Sequence, residues 1–152
     1  MRTRAVGLYI TTTTMVAFGQ VVQGLGELAL PAADPLPVRL DMVHVHTVAA
    51  VTEQLRRVGR QFGGQAGLFG AAAQRYARWL EVPGSEVVTA RLGAALAELY
   101  TEAGWAYYES GVDATGCFTR AQQLAGAAKD GFGVANAAWH AGVTMVRSGP
   151  SQ

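Results

Sequence analysis

The strongest constraint on the fold is a stretch in which two apolar stripes are separated by a glycine. Residues of the first stripe recur every three or four positions, the spacing of one face of an α-helix. They are Leu92, Ala95, Leu96, Leu99, Ala103 and Ala106. Gly111 ends this run, and Asp113 is suited to the start of a second helix. Ala114, Phe118 and Ala121 follow at steps of four and three, so the stretch predicts two helices joined by a tight turn.

Gly104 lies inside the first of these helices. Glycine at such a position costs roughly 1 kcal/mol of helix propensity relative to alanine. We therefore expect it at a place where another helix must come close. On the second helix, the large Phe118 lies between two alanines that let the helices approach. The sequence thus predicts close packing of the two helices around these positions.

The same residues resemble a tetratricopeptide repeat, a helix pair with small residues at the crossing. The matching residues are Tyr100, Gly104, Tyr107 and Gly111 in the first helix and turn, and Ala114, Phe118 and Ala121 in the second helix. The match departs at Ala103, where leucine is usual, in a turn two residues short, and at Gly126, which replaces a proline. The resemblance implies an all-α fold of antiparallel helix pairs, a fragment of an α-solenoid.

Longer segments are similar to the C-terminal, tetratricopeptide-like region of actinobacterial helix-turn-helix regulators of the XRE type. The segments are AGWAYYESG, FTRAQQLAGAAKD, VANAAWHAG and, upstream, VRLDMVHVHTVAAVTEQLRRVGRQFGGQ. They lie within residues 38–147. In that family a DNA-binding domain precedes this region, and the sequence shows no motif of that kind. The resemblance implies a cytoplasmic regulatory or sensor module that does not itself contact nucleic acid.

Periodic segments around the central pair bring the expected number of helices to about five. Asp41 can cap a helix that Gly63-Gly64 ends, and a further helix is expected from Gln65 to Leu80. Ser85 is expected to start the long central helix. Prolines between residues 31 and 37 mark the edge of the folded part. The predicted organisation is a leader or linker over 1–37, a helical domain over 38–147 and a tail over 148–152.

Residues 1–30 allow three interpretations. Two arginines precede a stretch from Ala5 to Gly26 without a charge, which partly imitates a secretory signal or membrane anchor. Threonines and glycines dilute that stretch and favour strand or loop. A poorly ordered leader and a helix packed on the array are the other two interpretations.

The sequence offers little for catalysis, metal or cofactor binding. A net charge of +1 argues against a dedicated nucleic-acid surface. The single Cys117 has no histidine that spacing can place beside it. His44 and His46 point about 200° apart on a helix and cannot share one ion. Glu98 and Glu102 share a helix face, where solvated or groove-lining acids are the common case. We therefore predict no enzyme activity, no metal and no cofactor.

Other charged and polar residues are expected at the surface of the helices. Arg56, Arg57 and Arg60 are predicted to form a solvated edge of the first long helix. His140 is expected to lie at the surface of the last helix.

The resemblance also implies where a partner binds, since the first helices of successive repeats line a concave groove. The positions that carry over are Glu98, Thr101, Trp105, Tyr108, Glu109, Asn136, Trp139, Val143 and Arg147. A protein, a peptide or a small effector is the expected occupant. Alternatively, Trp105 and Trp139 simply cover the neighbouring helix. The second pair lacks its second helix, so self-association through residues 131–146 is a further hypothesis.

Two functions follow from these observations. The first is a helical-repeat interaction module, regulatory by resemblance, that binds a partner without chemistry. The second is an exported or membrane-tethered helical binding domain, which depends on residues 1–30 alone.

Overall fold

A computed structural model describes residues 35–62 and 66–147, and every regular element in these ranges is helical. The helices are α1 (Met42–Phe62), α2 (Ala66–Ala77) with a 3-10 turn (Arg78–Glu81), α3 (Glu86–Glu109), α4 (Thr115–Ala127) and α5 (Gly131–Arg147). The predicted all-α class with about five helices is confirmed. The interpretations of the leader, the predicted break at Gly63-Gly64 and the tail lie outside the described residues.

Short polar side chains begin the helices. The Ser85 hydroxyl accepts a hydrogen bond from the backbone N–H of Val88 at 3.2 Å, and the Asp41 carboxylate accepts one from Val43 at 2.9 Å. Asp113 accepts one from Thr115 at 3.0 Å, and this hydrogen bond lowers the pKa of the Asp113 carboxyl. Such bonds satisfy N–H groups that have no partner inside the helix. The starts predicted at Asp41 and Ser85 are therefore confirmed.

The turn between α3 and α4 depends on Gly111. Its φ is +73°, a left-handed conformation that glycine adopts without steric cost. The N–H of Val112 donates to the Tyr107 carbonyl at 2.9 Å and closes the end of α3. The turn is short, so α4 runs back along α3 as an antiparallel partner.

The long helix α3 is the centre of the domain, since it contacts each of the other four helices. Its buried residues therefore lie on several sides and not on one stripe. Leu92, Leu96 and Leu99 are fully buried as the spacing predicts, and Ala97 and Thr101 are buried on other sides. A helix with neighbours on all sides has little surface left for polar residues.

Gly104 lies where α3 and α4 cross, as the sequence predicts. A Cβ added there would lie 2.8 Å from Cε1 of the Phe118 ring. Phe118 is only 2% exposed. A second close approach joins α2 to α3, since a Cβ on Gly70 would overlap the hydroxyl of Tyr107. Both glycines let a neighbouring aromatic ring lie directly on the helix backbone.

Helix α1 lies beside α3 and runs in the same direction. The N–H of Leu40 donates to the Pro83 carbonyl at 2.8 Å, which holds the starts of the two helices together. Further along, Arg56 of α1 reaches Glu102 of α3. Helix α5 packs on both α3 and α4. Helices α1 and α5 thus both lie against α3, and this arrangement positions the candidate site.

Candidate binding surface

A concave region of about 550 Å³, called here the main cleft, lies between α1, α3 and the start of α5. Small or aliphatic side chains line much of it, including Val45, Ala94 and Ala97. Polar or charged residues line the rest, among them Arg91, Glu98 and Asn136. Binding clefts combine apolar walls with polar groups that fix the orientation of the ligand.

Three of the predicted groove residues line the main cleft: Glu98, Thr101 and Asn136. Thr101 is buried, and its hydroxyl donates to the Ala97 carbonyl at 2.9 Å. Because its hydroxyl already donates a hydrogen bond inside the helix, Thr101 contributes to the shape of the cleft and not to polar contacts with a ligand. Asn136 is half-buried, and its amide can both donate and accept a hydrogen bond.

A second, smaller cleft of about 330 Å³ lies between α1, α2 and α3. Trp105 and Glu109, also predicted for the groove, line this cleft together with Arg60 and Phe69. The predicted positions on α3 are thus divided between two clefts. Side chains of α1 and α3 meet between the two regions.

The side chain between the clefts is Arg56. Its Nη2 lies 2.5 Å from Glu98 Oε1, its Nε lies 2.8 Å from Glu102 Oε1, and its Nη1 lies 3.4 Å from Glu53 Oε2. Burial opposes the charge of Arg56, but the hydrogen bonds to Glu98 and Glu102 outweigh it and raise the pKa of the guanidinium. One arginine therefore joins α1 to two carboxylates of α3.

The prediction that Arg56 belongs to a solvated edge is wrong. Its side chain is only 26% exposed, because α1 lies alongside α3 and turns this position toward two acidic residues. Arg57 is exposed as predicted, and Arg60 is 64% exposed with its Nη2 3.5 Å from Glu53 Oε1. Glu98 and Glu102 are correspondingly ion-paired groups and not freely solvated acids.

Four aromatic side chains of α3 and α5 form a cluster beside the clefts. The centroid of the His140 ring lies 5.4 Å from that of Trp105 and 4.7 Å from that of Trp139, both in edge-to-face geometry. The centroid of the Tyr108 ring lies 5.6 Å from that of the Trp105 ring. Such pairs stabilise the contact between α3 and α5.

The expectation that His140 lies at the helix surface is wrong. The residue is half-buried, its ring is parallel to that of Phe118 at 6.4 Å, and its Nδ1 is buried with no hydrogen-bond partner among the described residues. Burial lowers the pKa of His140, although the nearby Glu102 carboxylate opposes this shift. The sequence contained a signal, since residue 140 lies three positions after Ala137 and four before Thr144, which are both buried.

The two tryptophans differ in their surroundings. Trp105 is half-buried against His140, so it covers a neighbouring helix and also lines the smaller cleft. Trp139 is 62% exposed. Val143 is half-buried, and Arg147 is exposed at the end of α5. Trp105 therefore covers a neighbouring helix and lines a cleft, whereas Trp139 is largely exposed.

No group of three or more His, Cys, Asp or Glu in residues 35–62 and 66–147 could hold a metal ion. Burial and the neighbouring Asp113 raise the pKa of the Cys117 thiol, which disfavours the reactive thiolate. The described residues do place two clefts beside an aromatic cluster.

No family model, curated protein or solved structure matches the chain. Within the part that the structure describes, no helix is both long and apolar enough to cross a membrane.

Proposed function

We propose that the chain is a non-catalytic helical interaction module, the regulatory part of a cytoplasmic transcriptional regulator, which binds a peptide segment of a partner in the main cleft. The observation that carries the proposal is this cleft of about 550 Å³, to which three neighbouring helices contribute. The parallel course of α1 and α3 supports the resemblance to a tetratricopeptide array, in which the first helices of successive repeats line the binding face.

The lining of the cleft indicates what it would bind. Ala94 and Ala95, which are half-buried, offer an apolar surface for an anchoring side chain. The Asn136 amide is placed to hydrogen-bond a peptide backbone, and Glu98 and Arg91 provide charges of both signs. We expect the partner segment to carry one aliphatic or aromatic anchor flanked by polar residues.

The test is a selection of binding peptides from a random phage-displayed library against the full chain, followed by fluorescence anisotropy with the selected, labelled peptide. Ala94→Trp fills the main cleft. Ala50→Trp adds the same ring at an exposed position of α1 that lines neither cleft. We expect Ala94→Trp to weaken binding at least about tenfold, because it occupies the anchor site. We expect Ala50→Trp to leave binding within about twofold.

The proposal is refuted if no peptide is selected, or if the selected peptide binds Ala94→Trp as tightly as the parent chain. A circular dichroism spectrum of each variant establishes that the added ring has not unfolded the domain.

The cytoplasmic location has its own test, N-terminal sequencing of the protein isolated from its host. An intact Met1 is the expected result for the regulator. Loss of the residues up to about Ala33 would instead support an exported domain.

A further inference from the structure

The outward face of α5 carries a stripe of exposed apolar residues. Phe132, Trp139 and Val146 are 82%, 62% and 83% exposed in the described part of the chain. They recur every seven residues and so lie on one side of the helix. Ala135 and Gly142, which are also exposed, alternate with them. Single exposed apolar residues are common on protein surfaces, whereas a contiguous apolar patch often marks an interaction site.

The charge pattern of α5 also indicates that its outward face is covered. No charged residue lies between Asp130 and Arg147. A helix that faces water on one side usually carries charged residues there, whereas a helix that is apolar all round is buried. The inward face of α5 is already covered by α3 and α4.

No close approach inside the described domain requires a glycine at position 142. A Cβ added there would meet no heavy atom within 4 Å, although a glycine inside a helix costs roughly 1 kcal/mol relative to alanine. The close approaches at Gly104 and Gly70 explain those glycines. A close approach from outside the domain would explain Gly142 in the same way.

We infer that a second copy of the chain covers this stripe, with the two α5 helices packed antiparallel about a twofold axis. In the register that centres the axis between residues 140 and 141, Trp139 lies opposite Gly142 of the partner subunit. Ala135 then lies opposite Val146 of the partner subunit. Trp139 and Val146 each face a small residue, so this part of the stripe is complementary to itself, as a twofold interface requires. Phe132 lies opposite a position beyond residue 147, where α5 of the partner subunit ends.

The charges at the ends of α5 favour the antiparallel orientation. Asp130 precedes the helix and Arg147 is its last residue. Antiparallel packing brings the acidic end of one helix within about one turn of the basic end of the other. A parallel pair would place like charges together at both ends.

The exposed area is sufficient for a weak dimer. Aromatic side chains bury roughly 150–250 Å² each, so the whole stripe, including Phe132, offers at most roughly 500 Å² from each copy. Two copies then bury at most about 1,000 Å², the lower limit for a specific interface. The inference predicts association in the micromolar range. Phe132 also lines the main cleft, so dimer formation and peptide binding share this residue.

The first experiment is sedimentation equilibrium of the full chain from 1 to 500 μM, a range chosen to span roughly micromolar dissociation constants. The parent chain is expected to pass from monomer to dimer. Gly142→Leu puts a side chain where Trp139 of the partner subunit would lie, in a position that is open in the single chain. It is expected to raise the dissociation constant at least about 30-fold while the helical spectrum is unchanged.

The matched control is Gly67→Leu, since Gly67 is also an exposed helical glycine with no heavy atom near its Cβ position. It lies on α2 and is expected to dimerise like the parent chain. A monomer at all concentrations overturns the inference, whether residues 1–34 or another protein covers the stripe. So does a dimer that Gly142→Leu leaves intact.

The second experiment tests the register by disulfide formation in a Cys117→Ser background. Chains with Ala135→Cys are mixed with chains that carry Val146→Cys. The antiparallel register predicts a mixed disulfide between the two kinds of chain. Cross-linking of Ala135→Cys chains with one another would indicate a parallel pair and overturn the proposed register.

Discussion

Replacing Gly104 by alanine tests the packing on which the fold depends. A Cβ at this position would lie 2.8, 2.9 and 3.0 Å from three atoms of the Phe118 ring. These distances are well inside ordinary van der Waals contact. The ring cannot easily move aside, because it is 2% exposed and lies parallel to the His140 ring. The substitution therefore overpacks the crossing of α3 and α4.

Two opposing terms set the size of the effect. Alanine gains about 1 kcal/mol over glycine in helix propensity. Overpacking a well-packed core costs about 1–3 kcal/mol. We expect Gly104→Ala to lower the free energy of unfolding by about 1 kcal/mol. The same substitution at Gly126, an exposed residue of α4 with no heavy atom within 4 Å of the added Cβ, is expected to raise it by up to about 1 kcal/mol.

The measurement is urea unfolding followed by circular dichroism at ~222 nm, with the free energy extrapolated to water. In the double variant Gly104→Ala/Phe118→Leu, the smaller Leu side chain makes room for the added Cβ. The double variant should therefore lose less stability than the sum of the losses in the two single variants. If Gly104→Ala stabilises the protein as much as Gly126→Ala does, the close contact does not exist and the reasoning fails.

Two further predictions concern charged and titratable groups. Arg56→Met leaves Glu98 and Glu102 without their partner and should lower the free energy of unfolding by about 1–2 kcal/mol. The control Arg57→Met replaces an exposed side chain and should change it by less than about 0.5 kcal/mol. Equal effects of the two substitutions in urea unfolding would contradict this prediction. Because burial lowers the pKa of His140, the unfolded state binds a proton more readily, so stability should be full above about pH 6.5 and fall as the pH drops below it. Urea midpoints at about pH 7.5 and 5 should show this loss, and a loss just as large in His140→Phe would assign it to other groups.

The features that the sequence predicted correctly are local ones. The crossing at Gly104 and Phe118 follows from helical spacing and from the residue types, which lie only 14 positions apart. The helix starts at Asp41 and Ser85 depend on a hydrogen bond to a backbone N–H two or three residues later. Gly111 ends α3 because its own backbone conformation favours glycine.

The features that were missed depend on how distant helices are rotated against each other. Arg56 and Glu98 are 42 positions apart, and only the side-by-side packing of α1 and α3 brings them together. The half-buried position of His140 likewise depends on α5 contacting α3 as well as α4. Neither arrangement follows from the periodicity of a single helix, which gives the buried side of that helix but not its neighbours.

The division of the candidate groove has the same origin. Glu98 and Trp105 share α3 and were expected on one continuous surface. The side chain of Arg56 passes between the regions that they line, so each belongs to a different cleft. The resemblance assigns groove positions on α3 and α5 residue by residue. It therefore does not predict that Arg56 of α1 reaches across to α3.

The most direct test of binding in the main cleft is to map the selected peptide by two-dimensional NMR of the ¹⁵N-labelled chain. The account predicts that the largest shift changes on titration cluster around Val45, Ala94 and Asn136, which come from three different helices. Shift changes confined to the smaller cleft near Phe69, or spread over α4, would contradict it.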